Sequence, residues 1–368
     1  MDYQEAFNNF LKEFEIELSK SGKDIDKEKI NKTISETMKK ENLQTAERIY
    51  EELKHSITEM YLKEEQDEND FKSRLHETWR EAFLLLQGII KVSEEESCKM
   101  LDNFHMEEHS EKRNLVLRVL FKLHSKSIQA SKEILSLLKG GYSDGAMARW
   151  RSLHEFNIIF RALIYNYKDI DFTYNLIKRF LDYSEIERIK ELHTYKKATE
   201  LLQLPPLSKD DEKRANLKKE EILKKYGRSF EKPNMWAKPL FPQINRTIYF
   251  SDFEKLVGID RLTPYYKQAN YQVHASPKGI FQSLTMLNEV DQTSFFLYGG
   301  SNYGLSDPGS LTAISLHQIT VALLYLKPTI DSEIVGLILQ KFVEDCIEAF
   351  AHIQTGFEAE DTNKINKD

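Results

Sequence analysis

This sequence predicts an all-α protein, and three observations carry the prediction. Glycine and proline are scarce, 14 and 9 in 368 residues, which is too little turn chemistry for a many-stranded β fold. Apolar residues recur at steps of three and four along most of the chain, the period of an amphipathic helix. No convincing run alternates apolar with polar residues, as a half-buried strand would. With 40% hydrophobic and 11% aromatic content, the chain can bury a sizeable core in one large domain or two modest ones.

The first 70 residues are densely charged. Phe7, Phe10, Leu11 and Phe14, then Ile30, Ile34 and Met38, then Ile49, Leu53, Ile57 and Tyr61 give amphipathic helices with a thin apolar seam. Such a seam serves either a peripheral hairpin layer or self-association. The run Lys63–Asp70 reads as a solvated boundary, so the main α-helical domain is set at 71–356, with a polar, frayed tail at 357–368. Within the main domain Trp79, Phe83 and Leu86–Ile90 mark a strong helix, and a long one spans about Glu107 to Leu138. Lys139-Gly140-Gly141 stops it, since glycine adopts the left-handed C-cap without strain. Helices follow from Gly141 to about Tyr167 and from Phe172 to about Leu202, the latter ended by Pro205-Pro206. Lys209–Tyr226 is a charged helical insertion, and Lys232–Tyr249 an ordered loop holding Trp236 and Phe241. Short helices cover Ser251–Val257 and Leu262–His274, and Ser276-Pro277 offers an N-cap followed by proline at the first helical position. Two helices, about Pro308–Leu326 and Ile330–His352, close the fold.

The formal net charge of −7 argues against a broad electrostatic grip on nucleic acid, though a local basic groove is compatible with it. Cys98 and Cys346 are far apart and lack a CxxC spacing, which fits a reducing cytoplasm. The start Met1–Glu5 shows no signal peptide. The longest apolar stretch, Leu311–Leu326, is interrupted by His317 and Gln318 and falls short of the ~20 residues a membrane span needs. A soluble cytoplasmic protein with no membrane partner is expected.

Chemistry concentrates on one helix. From Ala146 a core-facing stripe runs through Trp150, Leu153, Asn157 and Phe160, and beside it lie Met147, Arg151, His154, Ile158 and Arg161. Charges flanked by Trp, Leu and Ile must be paired, because an isolated buried charge costs several kcal/mol. Arg151 stands at i,i+4 to Glu155 and i,i+3 to His154, so the three can meet on one face. Arg149 lies about 140° around the helix from His154, and the two converge only through a partner element or a second protomer. A histidine beside arginines suits metal-independent RNA cleavage, one moving protons and the other neutralising phosphorane charge. A structural ion pair with a satisfied core histidine explains the same residues. His274, at a helix end among Asn270 and Tyr271, is a second candidate, and its plain alternative is C-capping. His105-Met106-Glu107-Glu108-His109 matches a zinc-peptidase pattern, but at a polar helix start, so neither a metal nor another cofactor is expected. Gly299, Gly300 and Gly304 lack the Gly-Lys-Ser/Thr of a phosphate loop and read as a turn.

The stretch Gly141–Glu155, with Gly145-Ala146, Arg149, Arg151, Ser152-Leu153 and Glu155, resembles a bacterial family known only as a domain of unknown function. Tyr271, His274, Ser276 and Pro277 fall where that family's second motif lies, and the resemblance covers roughly 107–328. Arg149 and His154, four residues intervening, also resemble the motif of the HEPN superfamily of small helical bundles, which often dimerise and cleave RNA. The chain departs from HEPN nucleases at Trp150, where they usually carry a polar residue, and in the central place of the motif. The resemblance implies a HEPN-like bundle with added N-terminal helices. It also implies a ribonuclease or toxin-like effector of antiphage defence, acting on RNA as a homodimer and held by an antitoxin or sensor protein. Its catalytic set would be Arg149, Arg151, His154, Glu155 and His274, with Asn270 and Tyr271 in binding. The competing expectation is a non-catalytic helical module that uses the same polar pocket for a small ligand or partner.

Overall fold

A computed structural model describes residues 3–21, 27–199, 201–281, 283–285 and 297–365. Among them every regular element is helical, and no strand occurs. The expected all-α class is what the chain adopts. The chain divides into two compact units, Met1–Asp70 and Phe71–Asp368.

The first unit holds α1 (Tyr3–Ser21) and most of α2 (Lys27–Thr78). The acidic run Lys63–Asp70 does not interrupt α2. It contains neither glycine nor proline, and Lys, Glu and Gln are good helix formers even when fully solvated.

In the second unit α3 (Arg80–Met106), α4 (Glu111–Lys139), α5 (Ser143–Leu163), α11 (Ser306–Leu324) and α12 (Ile330–Ile365) pack together as the core bundle. Trp79, Trp150, Phe160 and Phe350 are among its largest fully buried side chains. The indole N–H of Trp79 donates to the Asn302 carbonyl at 3.2 Å, and that of Trp150 donates to the Leu311 carbonyl at 3.0 Å. Each large ring thereby keeps its one polar atom satisfied in the interior. The last helix, α12, continues to Ile365, past the Gly356 after which the sequence suggests fraying. Residues 366–368 of that tail lie outside the described set.

The α4–α5 corner is a Schellman turn. Gly141 has φ +78°, its N–H donates to the Leu138 carbonyl at 3.0 Å, and Tyr142 N–H donates to that of Leu137 at 2.9 Å. The glycine serves a second purpose, because the loop segment at Ser301 runs directly over it. Ser301 N–H donates to the Gly141 carbonyl at 2.9 Å.

Around this bundle α6 (Ile170–Ala198) packs on α4, and α7 (Lys209–Tyr226) packs on α6. The charged insertion therefore has a buried face, made by Ala215, Ile222 and Leu223. The Lys232–Tyr249 loop contains a 3₁₀ turn, Met235–Leu240, whose Trp236 stacks on Phe253 with centroids 5.5 Å apart. Short α8 (Phe250–Leu256), α9 (Thr263–Tyr271) and α10 (Pro277–Phe281) follow. α8 and α9 both lie against α5.

Candidate functional site

α5 carries polar and charged groups into the core bundle, and it sits where the sequence pattern put it. Ala146, Trp150, Leu153, Asn157 and Phe160 are buried, as are Met147, His154 and Ile158 of the neighbouring stripe. Arg149, Arg151, His154 and Glu155 then need partners, and each finds one differently.

His154 is fully excluded from solvent, and its Nε2 lies 3.0 Å from Oε1 of Glu254, whose own side chain is 1% exposed. Three rings wall the imidazole in, with Trp150 at 5.1 Å, Tyr266 at 5.5 Å and Phe250 at 5.9 Å between centroids. Its Nδ1 is buried with no hydrogen-bond partner. The other oxygen of Glu254 accepts from Thr263 Oγ1 at 3.0 Å. Glu254 is held in place by the start of α8. There Asp252 accepts from the Tyr249 N–H at 2.8 Å and from both terminal nitrogens of Arg246 at 2.7 Å each. Those bonds, with Arg246 the leading cause, hold the Asp252 carboxyl below its ordinary range.

Arg151 and Glu155 form the expected i,i+4 pair at 3.1 Å, but at the edge of the core, with side chains 30% and 37% exposed. The Tyr266 hydroxyl joins them. It donates to Glu155 at 2.6 Å and accepts from Arg151 at 3.2 Å, and the guanidinium carbon sits 5.2 Å from its ring centre. Burial first, then the Glu155 carboxylate, pushes the Tyr266 phenol well above its ordinary value. Arg149 turns away and pairs with Glu133 on α4.

Arg151, Glu155 and Tyr266 are thus brought together, while Arg149 and His154 are held by separate acids. His274 stands on the turn after α9, exposed. Since His154 meets no solvent, the two histidines share no solvent-accessible pocket. Asn270 acts there through its carbonyl, which accepts from the Val273 and His274 N–H groups at 3.2 Å. Tyr271 lies under the Lys278 ammonium, 4.5 Å from the ring centre. Pairing His154 with Arg151 and Glu155 on one face is corrected to pairing with Glu254. The backbone carries that acid to the ring from another helix, and no local spacing reports it.

His105 and His109 do not share a helix. α3 ends at Met106 and Glu107 is extended, which breaks the geometry the zinc-peptidase pattern needs. Among the described residues no cluster of three or more His, Cys, Asp or Glu could hold a metal ion. No helix among them is long and apolar enough to cross a membrane.

Neither the curated proteins nor the solved structures compared with the chain gave a match. Residues 117–292 do match a family model, described as a family of unknown function. That stretch contains both α5, with its Arg149–Glu155 segment, and Glu254 and Tyr266, the partners the fold brings to it. It is over residues 117–292 that this chain is similar to the family of unknown function DUF5677.

Proposed function

We propose that this chain is a non-catalytic α-helical binding module. Its α5 polar network is the scaffold, and the solvent-reaching edge of that network, Arg151, Glu155 and Tyr266, is the contact for a small ligand or partner protein. One observation carries the reading. His154, the histidine on α5, has no exposed surface, and its Nε2 is engaged by a carboxylate that is itself buried. A general acid or base must come within hydrogen-bond reach of the group it protonates, and the rings around His154 occupy that space. Arg149, which would neutralise phosphorane charge, is already bound to Glu133.

The test compares the wild type with an Arg149→Ala, His154→Ala double variant in two assays, cleavage of total RNA and growth of expressing cells. Intact RNA and equal growth are expected. RNA cut by the wild type and spared by the double variant would overturn the reading and return RNA to the place of substrate.

Self-association belongs to the same proposal, with a second copy as the partner of the N-terminal helices. Leu43, Ala46, Tyr50, Leu53, Ile57 and Met60 fall alternately three and four residues apart on α2, the spacing of a coiled-coil seam. Tyr50, Leu53 and Ile57 are each more than half exposed. A reducing compartment suits the module too, since Cys98 and Cys346 are both free thiols.

A further inference from the structure

A cavity of about 510 Å³ opens between the α3–α4 corner and the α11–α12 loop, within the ~300–1,000 Å³ usual for small-molecule sites. No residue of α5 lines it, so what it does is independent of the reading above. Its apolar wall includes Met100, Phe104, Leu117, Phe121, Leu324 and Val335.

Two nitrogens on that wall lack what burial demands. His109 is 7% exposed, and its Nε2 is buried with no hydrogen-bond partner. The nearest acid, Glu107, stands 3.8 Å away, beyond hydrogen-bonding range. Arg113 also lines the cavity, and its Nε is buried with no acceptor. Among the described residues no carboxylate pairs with its guanidinium, whose neighbour is the Tyr167 hydroxyl. Buried cationic and polar nitrogens left this way are costly, and burial makes any partner they do find correspondingly strong.

Local structure holds both groups in position. The His109 ring stacks on Phe104, centroids 4.8 Å apart and planes 13° from parallel. Arg113 is set by the cap of α4, where its backbone N–H donates to Ser110 Oγ at 3.3 Å. Glu107, the acid beside His109, is drawn off by Lys327 across the rim, and that ammonium holds the Glu107 carboxyl below its ordinary range.

We propose that this cavity binds a small organic monocarboxylate, its carboxylate accepting from Arg113 and His109 and its apolar body lying against the Met100, Phe104 and Val335 wall. A single negative charge fits better than a phosphate dianion. On the rim Glu96 and Glu107 are already paired with Lys99 and Lys327, which leaves Asp331 to repel a second charge.

Calorimetric titration of the full-length chain with phenylacetate, hexanoate, phenylacetamide and phenyl phosphate tests this. One-to-one binding of phenylacetate or hexanoate is expected, with the amide and the phosphate weaker by about tenfold or more. Arg113→Met should weaken carboxylate binding by about tenfold, and Val335→Trp, which fills the cavity from another helix, should abolish it. If Arg113→Met fails to fold, Val335→Trp carries the test. Failure of both carboxylates to bind at about 10 mM, weaker than any specific small-ligand site, would overturn the proposal. So would equal binding of phenylacetamide, or carboxylate binding that survives the Val335→Trp block.

Discussion

Nε2 of His154 on α5 lies 3.0 Å from Oε1 of Glu254 on α8, 100 residues further along the chain, and neither side chain meets water. The contact ties a seven-residue helix, too short to be stable alone, to the centre of the bundle. Glu254→Ala removes the acceptor for both His154 and Thr263 and leaves a buried ring with no partner at either nitrogen. A loss of about 3 kcal/mol is expected in urea unfolding, and Glu254→Gln, which keeps an acceptor oxygen, should lose less. Equal stability of Glu254→Ala and the wild type would show that the pair holds nothing together.

Glu155 behaves differently. By sequence alone its removal should destabilise sharply, because Arg151 would lose its partner in an apolar setting. The pair instead reaches solvent, at 30% and 37% exposure, and exposed i,i+4 pairs contribute only about 0.3–0.5 kcal/mol. Glu155→Ala should therefore cost about 1 kcal/mol or less, counting the lost Tyr266 bond, and its melting temperature should lie well above that of Glu254→Ala.

Gly141→Ala should be strongly damaging. A Cβ there would sit 2.8 Å from both Ser301 N and Ser301 O, backbone atoms that cannot swing away, and φ +78° is strained for an L side chain. About 2–4 kcal/mol of destabilisation is expected, measured against Gly227→Ala. Gly227 also has positive φ, but its Cβ would meet nothing within 4 Å, so only backbone strain remains, about 1–3 kcal/mol for its extended ψ of 158°.

Acid should weaken the fold through His124. The ring is buried, its Nε2 is 3.0 Å from Thr320 Oγ1, and burial pushes its pKa down from 6.5 to about 4. Between those values the unfolded chain holds a proton that the folded chain refuses. The stabilising effect of the neutral ring is therefore full above pH 6.5 and declines as pH falls toward 4, by about 3 kcal/mol in all. His317 and His76 are pushed down by burial as well, so the slope in the wild type contains all three. Unfolding free energies at about pH 7.5 and about pH 4.5 should differ less in His124→Leu than in the wild type, and an unchanged slope would remove His124 from the account.

The α2 seam predicts a concentration-dependent mass. Light scattering at tens of micromolar should report a dimer or larger species, and Leu53→Glu with Ile57→Glu should return it to the monomer mass by burying charge in the seam. A wild type that remains monomeric at that concentration would exclude the second copy.

The sequence by itself determined the helices and their inward faces. Local spacing sets them, and Trp150, Leu153 and Phe160 are as buried as their period implies. The Gly140-Gly141 stop, the Arg151–Glu155 pair and the Ser276 cap, whose Oγ accepts from Gly279 N–H at 3.1 Å, were legible for the same reason. In each, the partners lie within five residues, where helix geometry fixes who meets whom. Only the tertiary structure decided that His154 belongs to Glu254, that Arg149 belongs to Glu133, and that Tyr266 closes the Arg151–Glu155 pair. Those partners are 100, 16 and 111 residues away, brought together by the packing of α5 against α4, α8 and α9. That packing is driven by non-directional burial of apolar surface, so it leaves no periodic trace of which polar atoms it will bring together.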